Sequence, residues 1–319
     1  MTRHYVFNGD ADGLCALQQL RLGPARDGSL ITGVKRDIAL LQRVQAVSGD
    51  ECTVLDISLD VNRAPFLALL EAGVRVQYFD HHFAGEVPEH SGLEHHIDLG
   101  PNVCTSLLVD RWLNGRARPW AIVGAFGDSL LDDARQLAER AGLDEAQTRT
   151  LEQLGVRLNY NAYGESLADL HVVPTALADE MLKFADPLEF AQSSALYRQI
   201  RQGYEADMAA AQRLEPLRQA PGAVLYLMPD AAWARRVIGT LANDLARAHA
   251  GCAVAIVSPQ SGGDVVSVRV PREATTSADV FCRGFPTGGG RRTAGGINHL
   301  PRPELERFIS AFEATYRTS

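Results

Sequence analysis

Short apolar runs that are typical of strands recur along the first hundred residues. They lie at residues 4–8, 29–35, 52–58 and 74–80. Between them, apolar residues follow the spacing that is typical of amphipathic helices. Strands that alternate with helices predict βαβ units and a parallel sheet that is covered on both faces.

Three helices are predicted between and after these strands. One begins at Asp12, one covers 38–47, and one covers 61–73 and ends at a glycine that suits a helix C-cap. From residue 102 to about residue 214 the pattern becomes mostly helical. The chain therefore begins as an α/β protein and continues as a helical segment.

The prolines and the glycine between residues 216 and 222 are typical of a linker. Strands and helices alternate again after this point. We therefore predict an N-terminal α/β domain with a helical segment over 1–190, a helical linker over 191–221, and a smaller C-terminal α/β domain over 222–319.

The composition is that of an ordinary globular protein. Of 319 residues, 46% are hydrophobic and 22% are charged. The sequence contains no run of about 18 apolar residues, so no membrane span is predicted. The first residues pass straight into a predicted strand, without the apolar region of a signal peptide. The five dispersed cysteines are typical of reduced core thiols. We expect a cytoplasmic protein with no membrane partner, and the excess of arginine over lysine indicates a bacterial source.

Charge is distributed unevenly along the chain. The net charge is −8, yet residues 217–319 contain 12 Arg against 8 Asp and Glu, a net charge of +4. Residues 1–216 therefore carry 19 basic and 31 acidic side chains, a net charge of −12. An acidic segment suits cation binding and a basic segment suits an anionic ligand, although chance asymmetry of solvated faces explains the same numbers equally well.

Acidic clusters lie at the ends of predicted elements. Any one such aspartate is explained by helix capping. At successive strand ends of one parallel sheet, however, the side chains converge on one edge, where crowded carboxylates repel each other unless cations compensate them. The clusters are Asp10 with Asp12, Asp56, Asp80 with His81 and His82, and Asp128.

The residue types in these clusters indicate the cation that they would hold. Aspartate and histidine together suit Mn²⁺, and Mg²⁺ is the alternative. Two such ions about 4 Å apart activate a water molecule and stabilise an in-line phosphoryl displacement. The clusters therefore predict a site for two divalent metal ions and chemistry on phosphate esters.

Three motifs together resemble a known family. The sequences "DADG" at 10–13, "DHH" at 80–82 and "GFPTGGGRRTAGG" at 284–296 occur in the order found in the DHH superfamily of phosphoesterases, which carry a C-terminal DHH-associated domain. The chain resembles the NrnA-like and RecJ-like members over nearly its whole length. The resemblance implies a DHH domain with a metal site, a DHH-associated domain that binds substrate, and an active site in the cleft between the two domains.

The resemblance also implies which residues bind metal. Asp10 and Asp12 would bind different ions, and Asp56 would bridge the two ions. His81 and Asp128 would complete the site of the second ion. These five residues form the predicted metal-binding set, with Asn8 as a weak additional ligand.

Three residues have implied catalytic roles. Asp56 would act through the metal ions that it bridges. Asp80 would orient the site, and His82 would face the substrate phosphate.

Two positions depart from the pattern of the family. Many members have a metal-binding histidine where this chain has Asn8, which offers only a carbonyl oxygen. The usual histidine of the glycine loop is Arg291, which keeps a cationic donor for phosphate but cannot act as a neutral acid or base.

The glycine-rich segment predicts an anion-binding loop. Consecutive glycines let backbone N–H groups point into one cavity, and neighbouring arginines add bidentate donors. A strand arginine upstream matches a position that contacts substrate in the family. The expected substrate-binding residues are Arg269, Gly288, Gly289, Gly290, Arg291 and Arg292.

These features together predict a metal-dependent phosphoesterase that hydrolyses phosphodiester or phosphomonoester bonds of small nucleotides. The candidate substrates are nanoRNA, dinucleotides and 3′-phosphoadenosine 5′-phosphate. The alternatives are a RecJ-like single-strand exonuclease, a polyphosphate or pyrophosphate hydrolase, and a catalytically impaired nucleotide-binding protein. The expected partner is a small nucleotide or short oligonucleotide, and a homodimer is compatible with the sequence.

Overall fold

The structure, a computed structural model, describes residues 1–23 and 27–317. The chain divides into two compact units, Met1–Gly203 and a second unit that begins at Tyr204. The division falls inside the segment 191–221 that the sequence predicts as a linker. Each unit has its own sheet and its own hydrophobic core.

A parallel sheet lies at the centre of the first unit, as the sequence predicts. Its strands are β1 (Arg3–Phe7), β2 (Ser29–Ile31), β3 (Glu51–Leu55), β4 (Arg75–Asp80) and β5 (Leu93–Ile97). They run parallel in the order β2-β1-β3-β4-β5. The carboxyl ends of β1, β3 and β4 are therefore direct neighbours at one edge of the sheet.

Helices form most of the remaining first unit and continue to residue 211. They are α1 (Ala11–Arg21), α2 (Arg63–Glu71), α3 (Thr105–Trp112), α4 (Arg118–Gly127), α5 (Leu131–Arg140), α6 (Glu145–Asn161), α7 (Pro174–Met181), α8 (Pro187–Ser193) and α9 (Ala195–Ala211). Helix α1 packs against α3 and α4, and α4 packs against α6. In the described part of the chain, every helix is too short or too polar to span a bilayer.

The hydrophobic core of the first unit holds the strands in place. Val6 of β1, Val54 of β3 and Tyr78 of β4 are fully or almost fully buried in one cluster with Phe66 of α2. The rings of Phe66 and Tyr78 meet edge to face with their centroids 5.8 Å apart, an arrangement that aromatic pairs prefer. This packing fixes the strand ends that carry the acidic clusters.

The helix predicted over 38–47 is wrong. The structure has only one 3-10 turn there, Leu41–Arg43. The side chain of Asn62 replaces helical hydrogen bonds, because it accepts from the N–H of Leu41 at 3.1 Å and donates to the carbonyl of Ile38 at 2.8 Å. The apolar residues of this segment join the core without forming a helix.

The second unit contains a mixed sheet. Its elements are β6 (Arg218–Ala220), β7 (Ala223–Leu227), α10 (Ala232–Ala248), β8 (Ala253–Gln260), β9 (Gly263–Arg269), α11 (Ala278–Cys282), β10 (Gly288–Arg291), β11 (Ala294–Leu300) and α12 (Leu305–Tyr316). The strand order is β10-β11-β9-β8-β7-β6, in which only the β7–β8 pair is parallel among the described pairs. A buried core that includes Val268, Ile297, Phe281 and Phe308 joins the sheet to α11 and α12.

Candidate metal centre

The turn between β1 and α1 brings two aspartates into the interior. Asp10 is the N-cap of α1, and its Oδ1 accepts hydrogen bonds from the N–H groups of Asp12 at 3.0 Å and Gly13 at 3.1 Å. The turn requires a glycine at 13, because a Cβ atom there would lie 2.1 Å from the carbonyl oxygen of Asn8. Both carboxylates are buried. Capping therefore explains one oxygen of Asp10 and leaves the rest of the acidic pair unexplained.

Asp12 is held by the first turn of α3. Its two carboxylate oxygens accept hydrogen bonds from the N–H of Thr105 at 2.7 Å and the N–H of Ser106 at 2.8 Å. The N-terminus of a helix stabilises a negative charge. These hydrogen bonds thus fix the side chain of Asp12 at the edge of the sheet where β1 ends.

Asp56 follows β3 and has a strained backbone. Its φ is +61°, in the left-handed region that few residues other than glycine, asparagine and aspartate adopt. This conformation turns the buried side chain toward its neighbours, and Oδ1 accepts a hydrogen bond from Oγ1 of Thr105 at 3.1 Å. Such backbone strain is concentrated at functional sites in proteins.

The histidine pair follows β4. Nε2 of His81 lies 3.4 Å from Oδ1 of Asp56 and 3.9 Å from Oδ2 of Asp12. Nδ1 of His82 lies 2.7 Å from Oδ1 of Asp80. The side chain of His81 is 8% exposed and that of His82 is 46% exposed. His81 therefore faces the acidic cluster, whereas His82 lies at its open side.

Asp128 completes the cluster from the end of α4, where it is the C-cap residue. Burial and, to a smaller extent, the charge of Asp12 raise the pKa of Asp128 to about 6, against the lowering effects of Lys35 and His81. Its Oδ2 is buried and has no hydrogen-bond partner within the described residues. A buried carboxylate oxygen without a partner is costly, and a cation would satisfy it.

The electrostatics of the cluster fit a bound cation. Burial raises the pKa of Asp56 well above its ordinary value, and the charges of Asp10, Asp12, Asp80 and Asp128 raise it further. The donor atoms of Asp56, His81 and His82 all lie within 4.8 Å of one another. Oxygen and imidazole donors at this spacing suit a divalent transition metal. The residues therefore fit a metal ion such as Mn²⁺.

Burial lowers the pKa of His82, but its hydrogen bond to Asp80 and the charge of Asp80 outweigh this effect. The pKa of His82 is therefore raised above 6.5. The second oxygen of Asp80, Oδ2, is buried and has no hydrogen-bond partner in the described part of the chain. Asp80 thus contacts the ring of His82, and its orienting role in catalysis stays a prediction.

Asn8 is tied to its surroundings by both groups of its amide. Its Oδ1 accepts a hydrogen bond from the N–H of Asp10 at 3.3 Å, and its Nδ2 donates to the carbonyl of Lys35 at 3.3 Å. The expected weak ligand is therefore near Asp10, with its carbonyl oxygen engaged by the backbone.

Sequence reasoning missed Lys35. Its ammonium group forms an ion pair with Oδ2 of Asp10 and donates to Oδ1 of Asn159 at 2.9 Å. It also lies over the ring of Tyr163, 5.7 Å from the centroid. The signal in the sequence was its rarity and position, because Lys35 is one of two lysines and ends the predicted strand run over 29–35.

In the second unit, the segment predicted as a glycine-rich loop forms a β-hairpin. Residues 288–291 are β10, which pairs with β11 in an antiparallel register. Close packing explains two of its glycines. A Cβ atom at Gly288 would lie 1.8 Å from the carbonyl oxygen of Cys282, and one at Gly295 would lie 2.7 Å from that of Ala278. The glycines therefore let α11 approach the hairpin, and their expected role in binding an anion stays a prediction.

The hairpin brings two of the expected arginines into one row. Arg291 pairs with Ala294, and Ala294 pairs with Arg269 on the next strand. Because paired residues share a face and strands lie about 4.8 Å apart, the Cα atoms of the two arginines are about 10 Å apart on one face. Arg291 is exposed and has no hydrogen-bond or ion-pair partner among the described residues.

The other arginine contacts differ. Arg269 donates from Nε to Oδ1 of Asn243 at 2.8 Å and from Nη1 to Oγ of Ser267 at 3.0 Å. Arg292 is exposed, and its Nη2 donates to the carbonyl of Arg272 at 3.3 Å. Arg269 and Arg291 are thus the arginines that the sheet register aligns.

Neither a protein-family profile nor a curated protein matches the chain. Solved structures do match it. An exonuclease RecJ bound to manganese is 21% identical, with a TM-score of 0.60 over 98% of this chain and 89% of that chain. RecJ from Thermus thermophilus in complex with Mn²⁺ is 21% identical, with a TM-score of 0.64 over 98% of this chain and 51% of that chain. The chain thus spans about half the length of the second RecJ protein.

A third similar structure is the pGpG-specific phosphodiesterase PggH from Vibrio cholerae. It is 14% identical, with a TM-score of 0.50 over 99% of this chain and 100% of that chain. At these identities the similarity establishes the fold. The chain has the fold of these RecJ and phosphodiesterase structures, with an N-terminal parallel sheet, as predicted, and a C-terminal α/β unit whose sheet is mixed.

Proposed function

We propose that the chain is a divalent-metal-dependent phosphoesterase that hydrolyses phosphoester bonds of small nucleotides. The observation that carries this proposal is the convergence of buried carboxylates and His81 at the edge where β1, β3 and β4 end. In open α/β sheets this edge is where ligands bind. The similarity in fold to an exonuclease and to a dinucleotide phosphodiesterase supports the same class of reaction.

The residues that would hold the metal are Asp12, Asp56, His81 and Asp128. A divalent ion bound to them would activate a water molecule and neutralise charge on the phosphoryl group. The chain supplies the fixed geometry, because α3 holds Asp12 and the left-handed backbone of Asp56 orients its carboxylate. Pre-organised ligands of this kind are what a metal-dependent hydrolase needs.

His82 would contact the substrate. Its raised pKa keeps a larger fraction of the ring protonated near neutral pH, and its half-exposed position leaves Nε2 open to a ligand. A protonated imidazole donates a charge-assisted hydrogen bond to a phosphate oxygen and is able to give its proton to a leaving oxygen. Asp80 is a positioning residue for this ring.

Arg269 and Arg291 would bind a phosphate group of the substrate. Guanidinium groups match phosphate oxygens in a bidentate geometry. The sheet register that aligns the two arginines and the net charge of +4 over residues 217–319 support this role.

A RecJ-like exonuclease that acts on longer single strands is the second candidate. The TM-scores of 0.60 and 0.64 to RecJ proteins, against 0.50 to the dinucleotide phosphodiesterase, favour it. A polyphosphate or pyrophosphate hydrolase would use the same metal chemistry on a different anion, and an impaired nucleotide binder would have the fold without turnover.

A substrate panel with Mn²⁺ distinguishes these functions. The panel contains a dinucleotide, a short nanoRNA, 3′-phosphoadenosine 5′-phosphate, pyrophosphate and a long single-stranded DNA, and the products are separated by chromatography. We expect turnover of the small nucleotides at a rate far above that of the long strand, and loss of turnover with EDTA or in Asp56→Asn.

The other outcomes are equally clear. Processive cleavage of the long DNA with little dinucleotide turnover would replace the proposal by the exonuclease function. Orthophosphate from pyrophosphate alone would indicate the polyphosphate function. Nucleotide binding without any product would leave only the binding function, and activity that survives EDTA would refute the metal-dependent class as a whole.

A further inference from the structure

We propose that Lys35 takes the place of one of the two metal ions, so that this site holds a single divalent ion beside a fixed ammonium group. The inference rests on the proposed function, because it concerns the same site. It departs from the two ions that the sequence motifs predict.

A cationic group already compensates Asp10, whereas the hydrogen-bond donors to Asp12 are neutral backbone amides. Oδ1 of Asp10 accepts two backbone hydrogen bonds as the N-cap of α1, and its Oδ2 forms the ion pair with Lys35. The side chain of Asp10 is 4% exposed and that of Lys35 is 24% exposed. In such a buried setting an ion pair is screened little by solvent.

Asn8 occupies the position at which a second ligand is expected for the ion that Asp10 would bind. The hydrogen bonds of its amide run to the backbone of Asp10 and of Lys35. Asp10 and Asn8, the two residues expected to bind this ion, are thus both engaged by Lys35: Asp10 by its ammonium group and Asn8 by its backbone carbonyl. A neutral amide in place of imidazole also weakens binding of a soft or borderline metal.

Lys35 is held from several sides. The ammonium group of Lys35 donates to Oδ1 of Asn159 on α6 at 2.9 Å, and the backbone N–H of Lys35 donates to the carbonyl of Ala162 at 2.9 Å. These contacts fix the ammonium group beside Asp10.

The opposite half of the cluster contains the residues that still need a cation. His81 lies 3.4 Å from Asp56 and 3.9 Å from Asp12, and a buried oxygen of Asp128 has no hydrogen-bond partner in the part of the chain that the structure describes. One ion at this half and one ammonium group at the other would compensate the carboxylates. A second divalent ion would have to displace Lys35 from Asp10.

The test is the number of bound ions. Wild type, Lys35→Met and Lys183→Met are stripped with chelator and titrated with Mn²⁺. Free Mn²⁺ is followed by electron paramagnetic resonance, and bound metal is measured by elemental analysis. Lys183 is the matched control, because it is the other lysine of the chain and is 69% exposed in a surface pair with Glu180.

We expect one Mn²⁺ per chain in wild type and in Lys183→Met, with the spectrum of an isolated ion. Lys35→Met should bind a second Mn²⁺ at least about tenfold more tightly than wild type does, a factor within the range that neighbours of metal ligands produce. The two ions should then give a spin-coupled spectrum. Lys35→Arg, which keeps the charge, should again bind one ion.

A wild-type protein that binds two spin-coupled ions would overturn this inference and leave the proposed function intact. A folded Lys35→Met variant that still binds one ion would overturn it as well. A wild-type protein that binds no Mn²⁺ would refute the proposed function together with this inference. Circular dichroism of each variant establishes folding, and Asn8→His combined with Lys35→Met should tighten the second ion further than Lys35→Met alone.

Discussion

Asp56 combines a strained backbone with a proposed role as a metal ligand. Its left-handed φ of +61° is tolerated by asparagine but unfavourable for alanine by about 1–2 kcal/mol. Asp56→Asn therefore removes the charge without adding backbone strain. In the metal-free protein this change should raise the free energy of unfolding at pH 7 by on the order of 1 kcal/mol, because it removes a buried charge among like charges.

The same variant should bind Mn²⁺ at least about tenfold more weakly. Denaturant unfolding and a Mn²⁺ titration measure the two effects. Asp132→Asn, at an exposed position in the first turn of α5, is the control that should change neither quantity appreciably. A variant at position 56 that lost stability and kept its metal affinity would contradict the assignment.

Asp128 makes the stability of the metal-free protein depend on pH. Its pKa is about 6 in the folded protein against an ordinary value of 3.8, so the folded protein binds this proton more tightly than the unfolded chain does. The resulting stabilisation is complete below about pH 4 and is lost as the pH rises to about 6. Relative to Asp128→Asn, wild type should lose on the order of 3 kcal/mol over this interval.

Urea unfolding of both proteins at several pH values measures this difference. Saturating Mn²⁺ should reverse the slope, because the ion requires the carboxylate and competes with the proton. A difference between the two proteins that stays constant from about pH 4 to about pH 7 without metal would refute the role of Asp128.

At the scale of elements, the hairpin of β10 and β11 contains two adjacent glycines with different requirements. A Cβ atom at Gly288 would lie 1.8 Å from the carbonyl oxygen of Cys282, whereas one at Gly289 would meet nothing within 4 Å. Gly288→Ala should destabilise the protein by about 2–3 kcal/mol through overpacking. Gly289→Ala should change stability by less than about 1 kcal/mol. Equal changes in the free energy of unfolding for the two variants would show that α11 is not packed tightly against Gly288.

The elements that the sequence predicted well are those with a clear period or a clear position. The run of apolar residues before Asp10, before Asp56 and before Asp80 predicted parallel strands, and the parallel sheet then required their ends to meet. That convergence needs no knowledge of side-chain contacts, because it follows from strand direction and order.

The elements that the sequence did not predict depend on distant partners. The segment over 38–47 has helical spacing, yet the side chain of Asn62 satisfies its backbone. Lys35 reaches Asp10 because β2 pairs with β1, and it reaches Asn159 across 124 residues of sequence. The sequence did not predict the hairpin of β10 and β11, because strand interiors rarely contain consecutive glycines.

At the scale of the whole molecule, the chain joins an acidic unit to a basic one. Residues 217–319 have a net charge of +4 although the protein has a net charge of −8. If Arg269 and Arg291 bind substrate phosphate, Arg269→Ala and Arg291→Ala should each raise KM by about tenfold or more, since a charge-assisted hydrogen bond contributes about 1.5–3 kcal/mol. Steady-state kinetics at two salt concentrations should also show a weaker salt dependence in both variants.

Arg218→Ala is the matched control for these variants. Arg218 is exposed on β6, at the opposite edge of the same sheet from β10. It changes the net charge of the unit equally and should leave KM within about twofold, a difference of less than about 0.5 kcal/mol. An equal rise in KM for all three variants would mean that overall charge, and not the aligned arginine row, attracts the substrate.

The hydrogen bonds between Asp12 and the start of α3 give the site its own spectroscopic reporter. The amide protons of Thr105 and Ser106 each point at a carboxylate oxygen that is expected to hold the ion. In a nitrogen-15 correlation spectrum, diamagnetic Mg²⁺ should shift these two resonances, and paramagnetic Mn²⁺ should broaden them beyond detection. Two backbone amides thus make it feasible to observe occupancy of the carboxylate edge in solution, without substrate and without turnover.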